Sequence, residues 1–221
     1  MQALAALCVR RPVFASVLIL SLTVIGAFGF AQLGIDQFPN VDFPTIVVTT
    51  RLPGAAPEQV ESEVTDIIIT HIHWDHFDGA ALFPNARIWI QREEVEHHID
   101  STGKRINNTI DAPDAAMLHA LRTGGRLRVI DCDAKEIIPG ITVFTGGKHT
   151  WASQYASVRL AGGSTAVIAS DNVYLYENLT QHRPIAQTLD SLSNVAQHAR
   201  MRGVAPERLI VPGHDPLVFE R

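Results

Sequence analysis

The chain has 221 residues, with 18 lysines and arginines against 23 acids and a formal charge of −5. That mildly acidic balance, with no basic tract, argues against nucleic-acid binding as the main role. Two cysteines in unrelated surroundings, Cys8 beside an apolar run and Cys132 between Asp131 and Asp133, argue against a disulfide framework. Cys132 has no second cysteine near it and reads as a partly buried structural thiol.

The N-terminal third has a membrane composition. Residues 1–12 contain Arg10 and Arg11, Val13 to Leu33 carries no charge, and the first acid is Asp36. About 20 apolar residues suffice to cross a bilayer as a helix. Charge asymmetry places the N-terminus in the cytoplasm and the rest of the chain on the periplasmic side. A cleaved secretory signal has a shorter apolar core, so a retained anchor is expected. Next come a β-branched strand, Thr45–Thr50, a turn at Pro53-Gly54, and a short helix from Ala56 to Val64 with Pro57 near its start.

The wording Arg10-Arg11-Pro12-Val13-Phe14, Phe38-Pro39-Asn40-Val41-Asp42-Phe43-Pro44-Thr45 and Pro53-Gly54-Ala55-Ala56-Pro57 resembles the extreme N-terminus of a resistance-nodulation-division (RND) efflux transporter, over about residues 1 to 65. The resemblance implies the first membrane helix, 13–33, and a porter-like β-α fragment, 34–65. The further membrane helices and charged proton relay of such a pump are not supplied by this segment, and 13–33 holds no ionisable residue. Transport by this chain is not expected.

From Asp66 the character changes without a linker. The strand Asp66–Thr70 leads into His71-Ile72-His73-Trp74-Asp75-His76, three imidazoles and a carboxylate in six positions. Histidines at alternate positions leave a strand end on one side, while Asp75 and His76, past the bend, can serve a second ion. Isolated histidines in turns are usually solvated, but this many polar groups at the end of a buried strand need a partner.

Further along, Ala86–Gln91 reads as a strand, Arg92–Ile99 as a polar helix, and Asp111-Ala112-Pro113 as the opening of a helix with Met117, Leu118 and Leu121 in its apolar stripe. His97, His98 and His119 are read as lying on solvated faces. The strand Ile141–Phe144 runs into Gly146-Gly147-Lys148-His149, and Ala156–Leu160 and Thr165–Ala169 form a hairpin through Gly162-Gly163 that delivers Asp171. Arg208–Val211 ends in Pro212-Gly213-His214. Three apolar strands thus end alike, each with a candidate metal ligand at or just beyond its tip.

The pattern His-x-His-x-Asp-His with His149, Asp171 and His214 resembles the metallo-β-lactamase superfamily. Asp171-Asn172-Val173-Tyr174, Glu177-Asn178-Leu179 and Pro212-Gly213-His214-Asp215-Pro216 narrow the likeness to its N-acyl-homoserine lactonase-like group. The resemblance implies two zinc ions, one held by His71, His73 and His149 and the other by Asp75, His76 and His214, with Asp171 bridging. Iron, manganese and cobalt are the alternative metals. It also implies catalytic roles for Asp75, which orients the nucleophile, and Tyr174, which hydrogen-bonds a lactone oxygen. Ser170 stands where such enzymes commonly have glycine, and Thr150-Trp151 where they have proline and glycine.

The expected architecture is α/β: an αββα sandwich over residues 66–221 that lacks the family's N-terminal strands, preceded by one transmembrane helix and a short β-α segment. The expected function is metal-dependent hydrolysis of a lactone or related ester at a membrane. The alternative is an inactive fusion whose sheet has lost too much to work, with a cytoplasmic location if the N-terminal segment is an artefact of fusion.

Overall fold

A computed structural model describes residues 7–31 and 57–219. The expected strand 45–50 and turn 53–54 fall outside these residues. Contacts divide the chain into two compact units, Met1–Gly34 and Ile35–Arg221.

The first unit contains helix α1 (Pro12–Ala31), whose apolar span Pro12–Phe30 has a mean hydropathy of 2.3. Its hydroxyls turn back on the helix: Ser16, Ser21 and Thr23 donate to the carbonyls of Pro12, Val17 and Ile19 at 3.0, 2.8 and 2.9 Å. No hydroxyl of these three needs water, as a lipid environment requires. The full chain is expected to sediment with membranes and to leave them in detergent but not in high salt, and deletion of residues 1–33 is expected to release it; membrane fractionation checks this.

The second unit begins with α2 (Pro57–Glu63) and β1 (Asp66–Ile68). A one-turn helix, α3 (Trp74–Phe77), and a 3-10 turn lead to β2 (Arg87–Gln91), α4 (Arg92–His98), α5 (Ala112–Thr123) and β3 (Leu127–Ile130). Strands β1, β2 and β3 form a parallel sheet in that order. A second sheet runs β4 (Lys135–Ile138), β5 (Ile141–Thr145), β6 (Gln154–Arg159), β7 (Thr165–Ser170) and β8 (Ile210–Pro212), antiparallel except for the β7–β8 pair. Between β7 and β8 lie α6 (Tyr176–Thr180) and α7 (Ser191–Val204).

Strand alternation builds the layers. In β2, Ile88 and Ile90 point to one face and pack with Val95 of α4 and Leu118 and Leu121 of α5. Trp89, on the other face, joins Ile68, Ile130, Ile137, Val143 and Ala156 between the sheets. On the outer face of the second sheet, Tyr155, Val167, Ala169 and Ile210 pack with Met201 and Val204 of α7 and with Ala205. The order is helix, sheet, sheet, helix, the αββα sandwich expected. Full burial of a side chain such as Ile88 or Ile90 contributes about 1.5–3 kcal/mol.

Helix α5 starts where the sequence says: the Asp111 carboxylate accepts the Asp114 N–H at 2.8 Å and Pro113 sits in the first turn. The hairpin between β6 and β7 turns through Gly163 at φ +83°. Several expectations are corrected. Strand β1 stops at Ile68, so Thr70 belongs to the loop. The segment around Arg208 is a 3-10 turn, and β8 begins at Ile210. Cys132 is exposed and unpaired. His98 is buried, because α4 lays its last turn against Glu94 and Thr109 rather than water.

Among the described residues, β1 has no partner on its outer side and β8 ends the second sheet. Ile168, in the middle of β7, is 42% exposed. A cavity of about 490 Å³ lined by Ile68, Ile168, Val211 and Val218, with His76 and His214 also on its wall, lies in this region.

Asp114 supplies a test of the packing. Burial, the facing Asp78 carboxylate and Asp111 push its carboxyl up to about 6. Folded and unfolded chains both hold this proton below about pH 4; above about 6 the folded chain carries a charge it disfavours, so stability falls as pH rises through that window. Asp114→Asn is expected to stabilise the fold at about pH 8, by at most about 3 kcal/mol, and to change little at about pH 4; thermal unfolding at the two pH values checks this.

Candidate metal centre

The loops after β1, β5, β7 and β8 converge at one end of the sandwich. His71 and His73 leave the loop after β1, Asp75 and His76 lie on α3, His149 follows β5, Asp171 follows β7 and His214 follows β8. Two clusters result. The donor atoms of His71, His73, His149 and Asp171 lie within 4.8 Å of one another, as do those of Asp75, His76 and His214.

In the first cluster, His71 Nε2 and His149 Nε2 each lie 3.1 Å from His73 Nδ1, and Asp171 Oδ2 is 3.2 Å from His149 Nε2 and 3.8 Å from His71 Nε2. Ligands bound at about 2.0–2.1 Å to a tetrahedral ion are about 3.3–3.4 Å apart, so these separations suit one ion. In the second cluster, His76 Nε2 lies 3.4 Å from Asp75 Oδ2 and 3.2 Å from Asp171 Oδ1, and His214 Nε2 lies 3.1 Å from Asp171 Oδ1. Asp171 therefore presents one oxygen to each cluster. The first cluster is largely buried, whereas Asp75 is on the exposed side of the second.

The proton inventory supports a cation. His149 Nδ1 lies 2.8 Å from the carbonyl of Gln187, which can only accept. That contact calls for a proton on Nδ1 and leaves Nε2 as the atom that faces the Asp171 carboxylate, the orientation of a metal ligand. His71 is held neutral chiefly by burial, so it offers a lone pair. Burial lowers His73 as well. His76 Nε2 is buried without a hydrogen bond. In the metal-free chain burial opposes its charge, but the Asp171 and Asp75 carboxylates outweigh burial and raise its pKa to about 9. Burial would raise Asp171, yet His214 and His76 hold it well below the usual carboxylate range. Imidazole and carboxylate donors in this ratio fit zinc and related divalent ions.

Residues behind the cluster hold these loops. Asn172 Oδ1 accepts the Gly147 N–H at 2.6 Å, and its carbonyl accepts from Asn194 and His198 at 3.0 and 2.8 Å. Gly147 tolerates no side chain there, since a Cβ would come within 2.6 Å of the Asn194 backbone. Tyr174 is buried, with its hydroxyl 3.3 Å from both Gln187 Oε1 and His149 Nδ1, and its ring stands 5.2 Å from that of His214. Gln187 and Asn172 escaped sequence reading. A glutamine in a loop has no signature, and only the fold shows what its carbonyl faces.

The chain resembles two families. Residues 57–151 match the Metallo-beta-lactamase superfamily and residues 4–73 match the AcrB/AcrD/AcrF family, so both matches include α2 and β1. The N-terminal part is 46% identical over 59 residues to multidrug resistance protein MdtC of Photorhabdus laumondii, and 47% identical over 58 residues to that of Erwinia amylovora. The match covers 27% and 26% of this chain and 6% of each transporter. Among solved structures, Bacillus thuringiensis AiiA with N-decanoyl-L-homoserine bound at its active site is 23% identical, with a TM-score of 0.55 over 69% of this chain and 56% of that one. A probable metal-dependent hydrolase from Staphylococcus aureus is 18% identical, with a TM-score of 0.56 over 70% and 56%. AidC, a dizinc quorum-quenching lactonase in complex with its product, is 18% identical, with a TM-score of 0.52 over 71% and 59%. The likeness establishes the fold, and the chain spans little more than half of these relatives.

Ser170 yields a prediction. It stands at φ +48°, a left-handed conformation that favours glycine, and its hydroxyl lies 2.9 Å from that of Thr70 beside His71. Ser170→Ala keeps the strain and loses the hydrogen bond, while Ser170→Gly relieves the strain. The glycine variant is expected to be more stable than the alanine variant by about 1 kcal/mol in denaturant unfolding.

Proposed function

We propose that residues 66–221 act as a metal-dependent hydrolase that opens a lactone or cleaves a related ester, attached to a membrane through residues 13–33. The observation that carries this reading is the sharing of Asp171 between two clusters of ligand type. In this reading His71, His73 and His149 hold one divalent ion, Asp75, His76 and His214 hold the other, and Asp171 spans both. Two such ions, when bound, supply Lewis-acid polarisation of a carbonyl and a water-derived nucleophile at neutral pH.

The chain's own residues supply the rest. Asp75, on the open side next to His76, accepts a hydrogen bond from the attacking water and orients it. The Tyr174 hydroxyl, held beside His149 and Gln187, donates to the lactone oxygen. His71 and His149, nearly out of water, exclude solvent from the inner cluster. No serine or cysteine nucleophile is required. The structural relatives that bind acyl-homoserine products favour a lactone, and the dizinc state of AidC favours two zinc ions. The charge asymmetry around residues 13–33 favours the periplasmic side for this domain.

A second reading, an inactive fusion, draws on the edge of β1, unpaired among the described residues, and on the cavity beside it. One set of measurements separates the two. Detergent-purified full-length protein is expected to hold about two zinc ions per chain and to open N-acyl-homoserine lactones. The double variant His71→Ala, His73→Ala is expected to lose metal and more than about a hundredfold in activity. Asp171→Ala is expected to disturb both ions and His149→Ala chiefly one, by elemental analysis. Folded wild-type protein without metal would establish the second reading.

A further inference from the structure

Glu94, on α4, is a carboxylate with no solvent exposure, and neither the metal clusters nor the proposed chemistry uses it. Its Oε1 accepts the Ile72 N–H at 3.1 Å, and its Oε2 accepts the Ala152 N–H at 2.7 Å. His98 Nε2, one helical turn on, lies 3.5 Å from Oε1, and His98 Nδ1 is 3.0 Å from the Thr109 hydroxyl. Ile72 stands between His71 and His73, and Ala152 lies three residues beyond His149.

Both N–H groups belong to segments without ladder partners, so each needs an acceptor from elsewhere. A buried carboxylate is costly unless its oxygens are satisfied. Here the two requirements meet: one rigid planar group accepts from two loops that are 80 positions apart, from Ile72 to Ala152, with the His98 imidazole beside it. We infer that Glu94 is a positioning residue that ties the His71–His73 loop to the His149 loop and so sets the spacing of three ligands of the buried cluster.

An amide cannot do this. Gln at position 94 has the same shape, but its oxygen accepts from one loop while its NH2 group meets the other loop's N–H, donor against donor. The substitution therefore removes one tie and leaves the helix packing intact. Groups that orient metal ligands from behind typically change affinity by 10–100-fold when altered.

The inference rests on the metal reading above, and its test has readouts besides hydrolysis. Full-length protein in detergent is titrated with zinc against a chromogenic chelator, and amide hydrogen exchange is followed at Ile72 and Ala152 in the metal-free state. Glu94→Gln is expected to weaken zinc binding about 10–100-fold. It is also expected to speed exchange at one of the two amides, with the metal-free thermal midpoint within a few degrees of wild type. Val95→Ala, a core truncation on the same helix, is expected to lower the midpoint without a comparable loss of zinc. Unchanged affinity and exchange in Glu94→Gln, with wild type binding zinc, would overturn the inference alone. So would a Val95→Ala variant that loses zinc as severely. A wild-type chain that binds no zinc overturns the metal reading and this inference with it.

Discussion

The Asp171 carboxylate, 3% exposed, lies within 3.8 Å of four imidazole nitrogens, those of His71, His76, His149 and His214. A buried carboxylate must be paired, and nitrogens drawn from three separate connections, those after β1, β5 and β8, converge on this one. The arrangement constrains everything beneath it. β7 must end at Ser170 with a left-handed turn to raise Asp171, and Gly213 must pass so close that a Cβ there would meet Asp171 Oδ1 at 2.8 Å. The parallel β7–β8 pair brings those two strand ends side by side.

The two sheets are held in register by buried amides as well as by apolar packing. Gln154 donates to the carbonyls of Ile69 and Trp89 at 2.8 and 3.2 Å and accepts from Gln91 at 2.9 Å, while its backbone N–H reaches the Thr70 carbonyl at 2.8 Å. Thus the strand that precedes His71 and the first residue of β6 are joined directly across the sandwich. A satisfied polar bridge fixes relative position more sharply than hydrophobic contact, which is non-directional.

Much of this was legible in the sequence, for a physical reason. Alternating His71 and His73 after an apolar run, and polar ligand types after β5, β7 and β8, are local patterns that a strand end imposes. The hairpin at Gly163 and the cap at Asp111 are likewise local chemistry. Tertiary partners were not legible. His98 looked solvated because its periodicity shows neither Glu94 nor Thr109, and β3 and β4 carry charged residues that mask their strand pattern. Nothing near Gln187 announces that its carbonyl fixes the tautomer of His149.

The junction is less abrupt in the fold than in the wording. Val64, in the stretch of transporter likeness, packs against the cluster of Ile88 and Ile90, and Asn85 Nδ2 donates to the Ser62 carbonyl at 2.9 Å. The end of α2 therefore belongs to the sandwich's first core. The anchors of the metal loops, Glu94, Gln154 and Asn172, all lie downstream of the stretch of transporter likeness. An open apolar flank lies at Ile68 and Ile168, next to His76 and His214. The buried cluster of His71, His73, His149 and Asp171 is braced from behind by Glu94, Gln154 and Asn172, while His76 and His214 of the open cluster border that flank directly, so a disturbance of the flank reaches the open cluster first.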